Sequence, residues 1–199
     1  EKNLVEHPVP LEQAMTSYNM NTRLLCACQK LLGAKVKFFL DIGCADGYLG
    51  LTMGQFGMVS VGLNLYKPSV DLANFRARIT RNPCVFYQED FRKHVGRYEA
   101  VVMLEVLEHL PHAVGGLQKA FSLVKEGGIL LVSTPRDDHE GIKKHLEEKD
   151  REGWDDGKPS GHLRLWSEAE FKDMLIPYHV TDFIVDDQKN MLAEVKRDG

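Results

Sequence analysis

Two spacings of apolar residues alternate along this chain. Leu24, Leu25, Cys28, Leu31 and Leu32 recur at helical spacing, and Gly33 follows as a stop signal. Residues 36–42 then form a short apolar run that closes on Asp41 and a glycine cluster, the mark of a buried strand. The exchange repeats. Strands are predicted over 58–63, 84–87, 98–104 and 129–133, with helices over 49–56, 68–80 and 111–124 between them. Pro68 suits a first helical turn, where its missing N–H costs least. Gly127 and Gly128 are read as closing the helix before the fifth strand. Ser167-Glu-Ala-Glu is a capping box that opens a helix to residue 175. Apolar runs at 179–185 and 191–195 predict two closing strands in a hairpin.

Alternation of strand and helix through residue 133 calls for parallel strands joined by right-handed crossovers. Two strands at the end, with no helix between them, predict an antiparallel edge. The expected fold class is α/β: a three-layer sandwich around a mostly parallel seven-stranded sheet with an antiparallel edge strand. Residues 1–35 are expected to be an N-terminal helical segment and 36–199 the main domain. Residues 136–160 are charged and lack a clean period, with a helix expected near 141–149. A stretch this long predicts a lid or specificity insert.

Composition narrows the function. A chain of 199 residues with 43% hydrophobic positions can bury a core without staples. Its net charge of −4 argues against gripping nucleic acid by charge alone. Cys26, Cys28, Cys44 and Cys84 form no zinc pattern and are expected to be reduced thiols in a cytoplasmic protein. No apolar run approaches the ~20 residues of a membrane span, and no leader pattern opens the chain. A chain beginning at Glu1 rather than Met is expected to be trimmed or cut from a longer protein.

The strongest local signal is Leu40-Asp41-Ile42-Gly43-Cys44-Ala45-Asp46-Gly47-Tyr48, which follows a strand and opens a helix. Glycines there permit a tight turn and a close ligand approach. A pyrophosphate site would want G-x-G-x-x-G, but the spacing is G-x-A-x-G with an acid just before it. Asp41 would repel a pyrophosphate and could accept hydrogen bonds from an ammonium. This suits the amino-acid end of S-adenosylmethionine. The segment resembles the first motif of class I S-adenosylmethionine-dependent methyltransferases, D-x-G-x-G-x-G, with Ala45 at the middle glycine. The resemblance implies a Rossmann-like fold and this cofactor. It implies donor-binding roles for Asp41, Gly43, Cys44, Ala45, Gly47 and Leu104. It also implies one for Asn64, where the family carries an acid for the ribose, and for Asp90 and Phe91 beside the adenine.

Glu105, Glu108 and His109 follow the fourth strand at i, i+3 and i+4, so one helical turn would gather them on one face. Two carboxylates and an imidazole can hold a divalent cation or move a proton. The run E-V-L-E-H resembles the ubiquinone-biosynthesis O-methyltransferases and, more loosely, the small-RNA 2′-O-methyltransferases. The latter add a later histidine, and His162 stands in a comparable place. The resemblance implies Glu105, His109 and His162 as catalytic candidates. It also implies Glu105, Glu108, His109 and His162 as ligands for Mg or Mn. The expected activity is O-methylation of a small molecule or a sugar hydroxyl, with nucleic acid a minor alternative. A nucleotide-dependent oxidoreductase is disfavoured by the loop spacing. A catalytically silent methyltransferase-like domain remains open through Asn64 and Ala45.

Overall fold

A computed structural model describes residues 22–138 and 162–199. The helix expected near 141–149 and most of the 136–160 insert lie outside the described residues, as does the start of the N-terminal segment.

The sheet has seven strands in the order β3-β2-β1-β4-β5-β7-β6. β1 (Phe38–Ile42), β2 (Val59–Asn64), β3 (Val85–Gln88), β4 (Tyr98–Leu104) and β5 (Val124–Pro135) run parallel. β7 (Asn190–Lys196) is antiparallel to both neighbours and lies between β5 and β6 (His179–Val185). β6 and β7 form the expected hairpin. Asp186 closes its turn by accepting from the backbone N–H groups of Gln188 and Asn190.

Side chains leave alternate faces of each strand, and both faces are covered. α1 (Thr22–Gly33), α2 (Tyr48–Gln55) and α3 (Lys67–Ile79) lie on one side, against Phe39, Val102, Leu131 and Phe86. α4 (Ala113–Ser122) and α5 (Glu168–Leu175) lie on the other, against Leu40, Val101, Met103 and Leu130. Each fully buried leucine contributes roughly 1.5–3 kcal/mol of transfer free energy, so the three-layer arrangement is the one that uses this pattern. α5 begins as expected: Ser167 Oγ accepts from Glu170 N, and Glu170 Oε2 accepts from Ser167 N.

Two boundaries differ from the sequence reading. Gly127 and Gly128 do not end a helix. α4 stops at Ser122, and β5 already starts at Val124. Gly128 allows the close approach of β5 to β4, since a Cβ there would lie 2.6 Å from the Glu99 carbonyl oxygen. Glu105 is not on a helical turn with Glu108 and His109. Its φ of 55° ends β4 in the left-handed region, and a single 3-10 turn begins only at Leu107.

Candidate functional site

Parallel strands deliver their carboxyl ends to one rim, where the loops after β1, β2, β3 and β4 converge. The loop after β1 is tied to its neighbour strand by its backbone. Gly43 and Cys44 both donate from their backbone N–H groups to the Leu63 carbonyl, which binds this loop to β2. Gly43, Ala45 and Gly47 all have positive φ, at 75°, 47° and 86°. Ala45 thus occupies a conformation that glycine adopts without cost and alanine does not.

A crevice opens beside this loop, in the concave, mostly apolar setting where ligand sites form. Ile42, Leu63, Phe91, Val106 and Leu110 give it an apolar body, and Asn64, Glu89, Asp90 and Glu105 give it polar edges. A second hollow continues from it across Gly43 and Ala45. That end is polar: Arg23, Asp41, Asp46 and Tyr48 line it. The trough therefore has an apolar end, and an end that carries both acidic and basic side chains.

Asp41 is buried on β1, and burial pushes its carboxyl up to about 7. Arg92 grips Asp90 through Nε and Nη2, at 2.8–3.0 Å, and this pairing holds Asp90 below the usual carboxylate range. Asn64 lines the crevice while its Oδ1 accepts from Tyr66 N at 3.0 Å. Cys44 is buried against Val70, Ala73 and Phe86, and burial raises its thiol.

The rim beyond Glu105 carries a second arrangement. Glu108 is fully buried, and its Oε1 has no hydrogen-bond partner among the described residues. His109 Nε2 and His162 Nε2 each lie 3.9 Å from that same oxygen. The two rings stack with centroids 4.8 Å apart. Thr134 Oγ1 donates to the other oxygen of Glu108 at 3.3 Å. Leu163 N donates to the Glu108 carbonyl at 2.8 Å, and this bond brings the segment bearing His162 onto the turn. Burial and the neighbouring Glu105 charge push the Glu108 carboxyl well above its ordinary value. One carboxylate oxygen and two imidazole nitrogens lie within 4.8 Å of one another, a donor set suited to a divalent transition-metal cation.

A family model described as a methyltransferase domain matches residues 18–176. This chain belongs to the class I S-adenosylmethionine-dependent methyltransferases. The ubiquinone biosynthesis O-methyltransferase of Vibrio parahaemolyticus is 31% identical over 116 residues, covering 56% of this chain and 49% of that protein. The enzyme of the same name from Proteus mirabilis is 32% identical over 108 residues, covering 52% and 43%. The chain thus spans about half the length of these curated relatives. Magnesium protoporphyrin IX methyltransferase from Synechocystis PCC 6803, solved with bound SAH, shares the fold. Its TM-score is 0.71 at 18% identity, over 99% of this chain and 89% of that one. TehB from Haemophilus influenzae does likewise, with a TM-score of 0.69 at 13% identity over 94% and 66%.

In this methyltransferase, eight of the nine positions expected to hold the donor line the trough. The exception is Gly47. A Cβ there would lie 2.8 Å from the Phe86 ring and 2.9 Å from Ala73, so its smallness serves the packing of α2 against α3 and β3. Of the four expected metal ligands, Glu108, His109 and His162 converge. Glu105 stands beside them, accepting from Ser133 Oγ at 2.8 Å and facing Arg23 Nη1 at 3.7 Å. Arg23 was missed by the sequence reading. It precedes the first periodic leucine, and only the packing of α1 beside β1 and β4 brings it to the polar end. No helix among the described residues is long and apolar enough to cross a membrane.

Proposed function

We propose that this chain transfers a methyl group from S-adenosylmethionine to a hydroxyl of a small molecule or sugar, with a divalent cation assisting. The buried Glu108 oxygen flanked by two imidazoles, at the edge of the donor crevice, carries this reading. The names of the curated relatives support O-methylation.

The donor's two halves match the two ends of the trough. The adenine ring of adenosine is flat with apolar faces, and fits between Leu63, Phe91 and Leu110 with Asn64 and Glu89 at the polar edge. The methionine end carries an ammonium and a carboxylate, and fits Asp41 and Arg23 respectively. Arg23→Gln is therefore expected to raise the KM for S-adenosylmethionine about tenfold, the scale of a lost charge-assisted bond. Steady-state kinetics with varied donor checks this, and an unchanged KM removes Arg23 from the site.

Methyl transfer is an in-line displacement. The carbon–sulfur bond breaks as the acceptor oxygen bonds to the same carbon, and the hydroxyl proton must leave. In the absence of a cation, His109, which lines the crevice with His162 stacked on it, is placed to take that proton. A cation held by Glu108, His109 and His162 would acidify the hydroxyl. Two imidazoles favour Mn over Mg in this set. The protein's remaining work is to hold donor and acceptor in line, which alone can be worth orders of magnitude.

An assay with labelled donor tests this across catechols, other phenols, sugars and a small RNA. Transfer to a small hydroxylated acceptor is expected, falling at least tenfold after exhaustive chelation and returning with Mn. Full activity after chelation contradicts the metal. Transfer to RNA alone would favour the second reading, an RNA 2′-O-methyltransferase, for which the convergence of His162 with Glu108 is the supporting observation.

A further inference from the structure

The connection between β3 and β4 spans residues 89–97 and contains no helix. It nevertheless carries Glu89, Asp90, Phe91 and Arg92, which form one wall of the crevice. A loop without a regular backbone ladder must be held by side chains and turns. His94 supplies the hold. Its Nδ1 lies 2.9 Å from Glu89 Oε1, and its Nε2 lies 2.8 Å from Tyr98 Oη. One tautomer satisfies both, with Nδ1–H donating to the carboxylate and Nε2 accepting from the phenol.

The surroundings fix each member of this chain. The His94 side chain is only 12% exposed, and its ring stacks on Tyr98 at 5.9 Å. Tyr98 is the first residue of β4, buried, with its ring 4.9 Å from Phe38 on β1. The backbone of His94 closes a turn by donating to the Phe91 carbonyl at 3.1 Å. Its own carbonyl accepts from Lys119 Nζ of α4 at 2.7 Å. The loop is thus pinned to β4 and α4 through one residue, and Glu89, at the crevice edge, is tied to the same residue.

We propose that His94 is a positioning residue for the donor. The chain Glu89–His94–Tyr98 holds the Glu89 carboxylate and the Asp90–Phe91 turn in the geometry that receives the adenosine. His94 touches neither donor nor acceptor, and its effect is on donor affinity rather than on the transfer step. The proposal rests on the reading that the crevice holds S-adenosylmethionine.

Calorimetric titration with S-adenosylhomocysteine (SAH), together with kinetics at saturating donor, tests it. His94→Phe keeps a ring but removes both hydrogen bonds, and is expected to weaken SAH binding about tenfold, with kcat within about twofold of the unmodified protein. Tyr98→Phe is expected to weaken it about threefold, and the double variant no more than His94→Phe alone, because both act through one chain. His94→Gln, which can donate and accept at its two ends, is expected to restore most of the affinity. SAH affinity within twofold in every variant overturns the proposal, as does a kcat loss with unchanged affinity. Strictly additive effects of the two single changes do the same. Failure of the unmodified protein to bind SAH would instead overturn the donor reading and this proposal with it. Tyr98→Phe leaves the imidazole in place, and tests the chain even where His94→Phe folds poorly.

Discussion

Glu108→Gln is expected to lower methyl transfer about a thousandfold while SAH affinity stays within about twofold, a loss of about 4 kcal/mol in the transition state. Glutamine keeps the shape of the side chain and can still accept from Thr134. It removes the charge and exchanges one acceptor oxygen for an NH2 donor. A cation seated between one carboxylate and two imidazoles loses its anionic ligand, and the hydroxyl of the acceptor loses the help it needs to shed a proton. Without a cation the expectation is opposite. Burial and Glu105 then push the Glu108 carboxyl well above its ordinary value, which favours its uncharged form, and an amide in its place would leave turnover nearly unchanged. Steady-state kinetics with and without added Mn separates the two. A variant with near-native activity contradicts the metal-assisted mechanism.

The second large effect belongs to Asp41, where stability and function are expected to oppose each other. Burial raises its carboxyl from 3.8 to about 7. The ionised form is therefore disfavoured in the folded, ligand-free protein. Stability from this group is greatest below about pH 4, where it is neutral whether folded or unfolded, and falls as pH rises toward 7. Above pH 7 the penalty is constant, at most about 4 kcal/mol. Asp41→Asn removes it, so the free variant is expected to melt several degrees higher than the unmodified protein at pH 8, with little difference near pH 4. The same change is expected to weaken SAH about tenfold or more, because the ammonium of the methionine end loses its anionic acceptor. In the unmodified protein, binding near pH 7 should release a proton from Asp41. Calorimetry in buffers of different ionisation enthalpy reads that release directly. A variant less stable at pH 8, or one that binds SAH as tightly as before, contradicts this role.

The fold was readable because its strands are short apolar runs separated by amphipathic helices, a pattern with few solutions. The capping box at Ser167 marked its helix to the residue, since both partners lie within three positions. The motif from Asp41 to Gly47 was readable for the same local reason, although the pattern could not separate a glycine beside the ligand from one that lets helices approach. Gly43 borders the crevice, whereas Gly47 packs against Phe86 and Ala73. Glu105 was misplaced because i, i+3 and i+4 spacing gathers residues only on a helix, and its left-handed backbone breaks that spacing. His162 joined Glu108 through a backbone bond across 55 positions, from Leu163 N to the Glu108 carbonyl. Only the family resemblance pointed there. Arg23 and His94 carried no local signal at all, since their roles come from elements distant in sequence.

In the proposed pose the donor lies along the trough, with its amino-acid end between Asp41 and Arg23 and its adenine beside Phe91. A crystal structure of this chain with SAH tests it most directly. The SAH carboxylate is expected within hydrogen-bond reach of Arg23, its ammonium within reach of Asp41, and the adenine between Leu63 and Phe91. Nucleoside density elsewhere, or a reversed ligand with its adenine at Asp41, would contradict it.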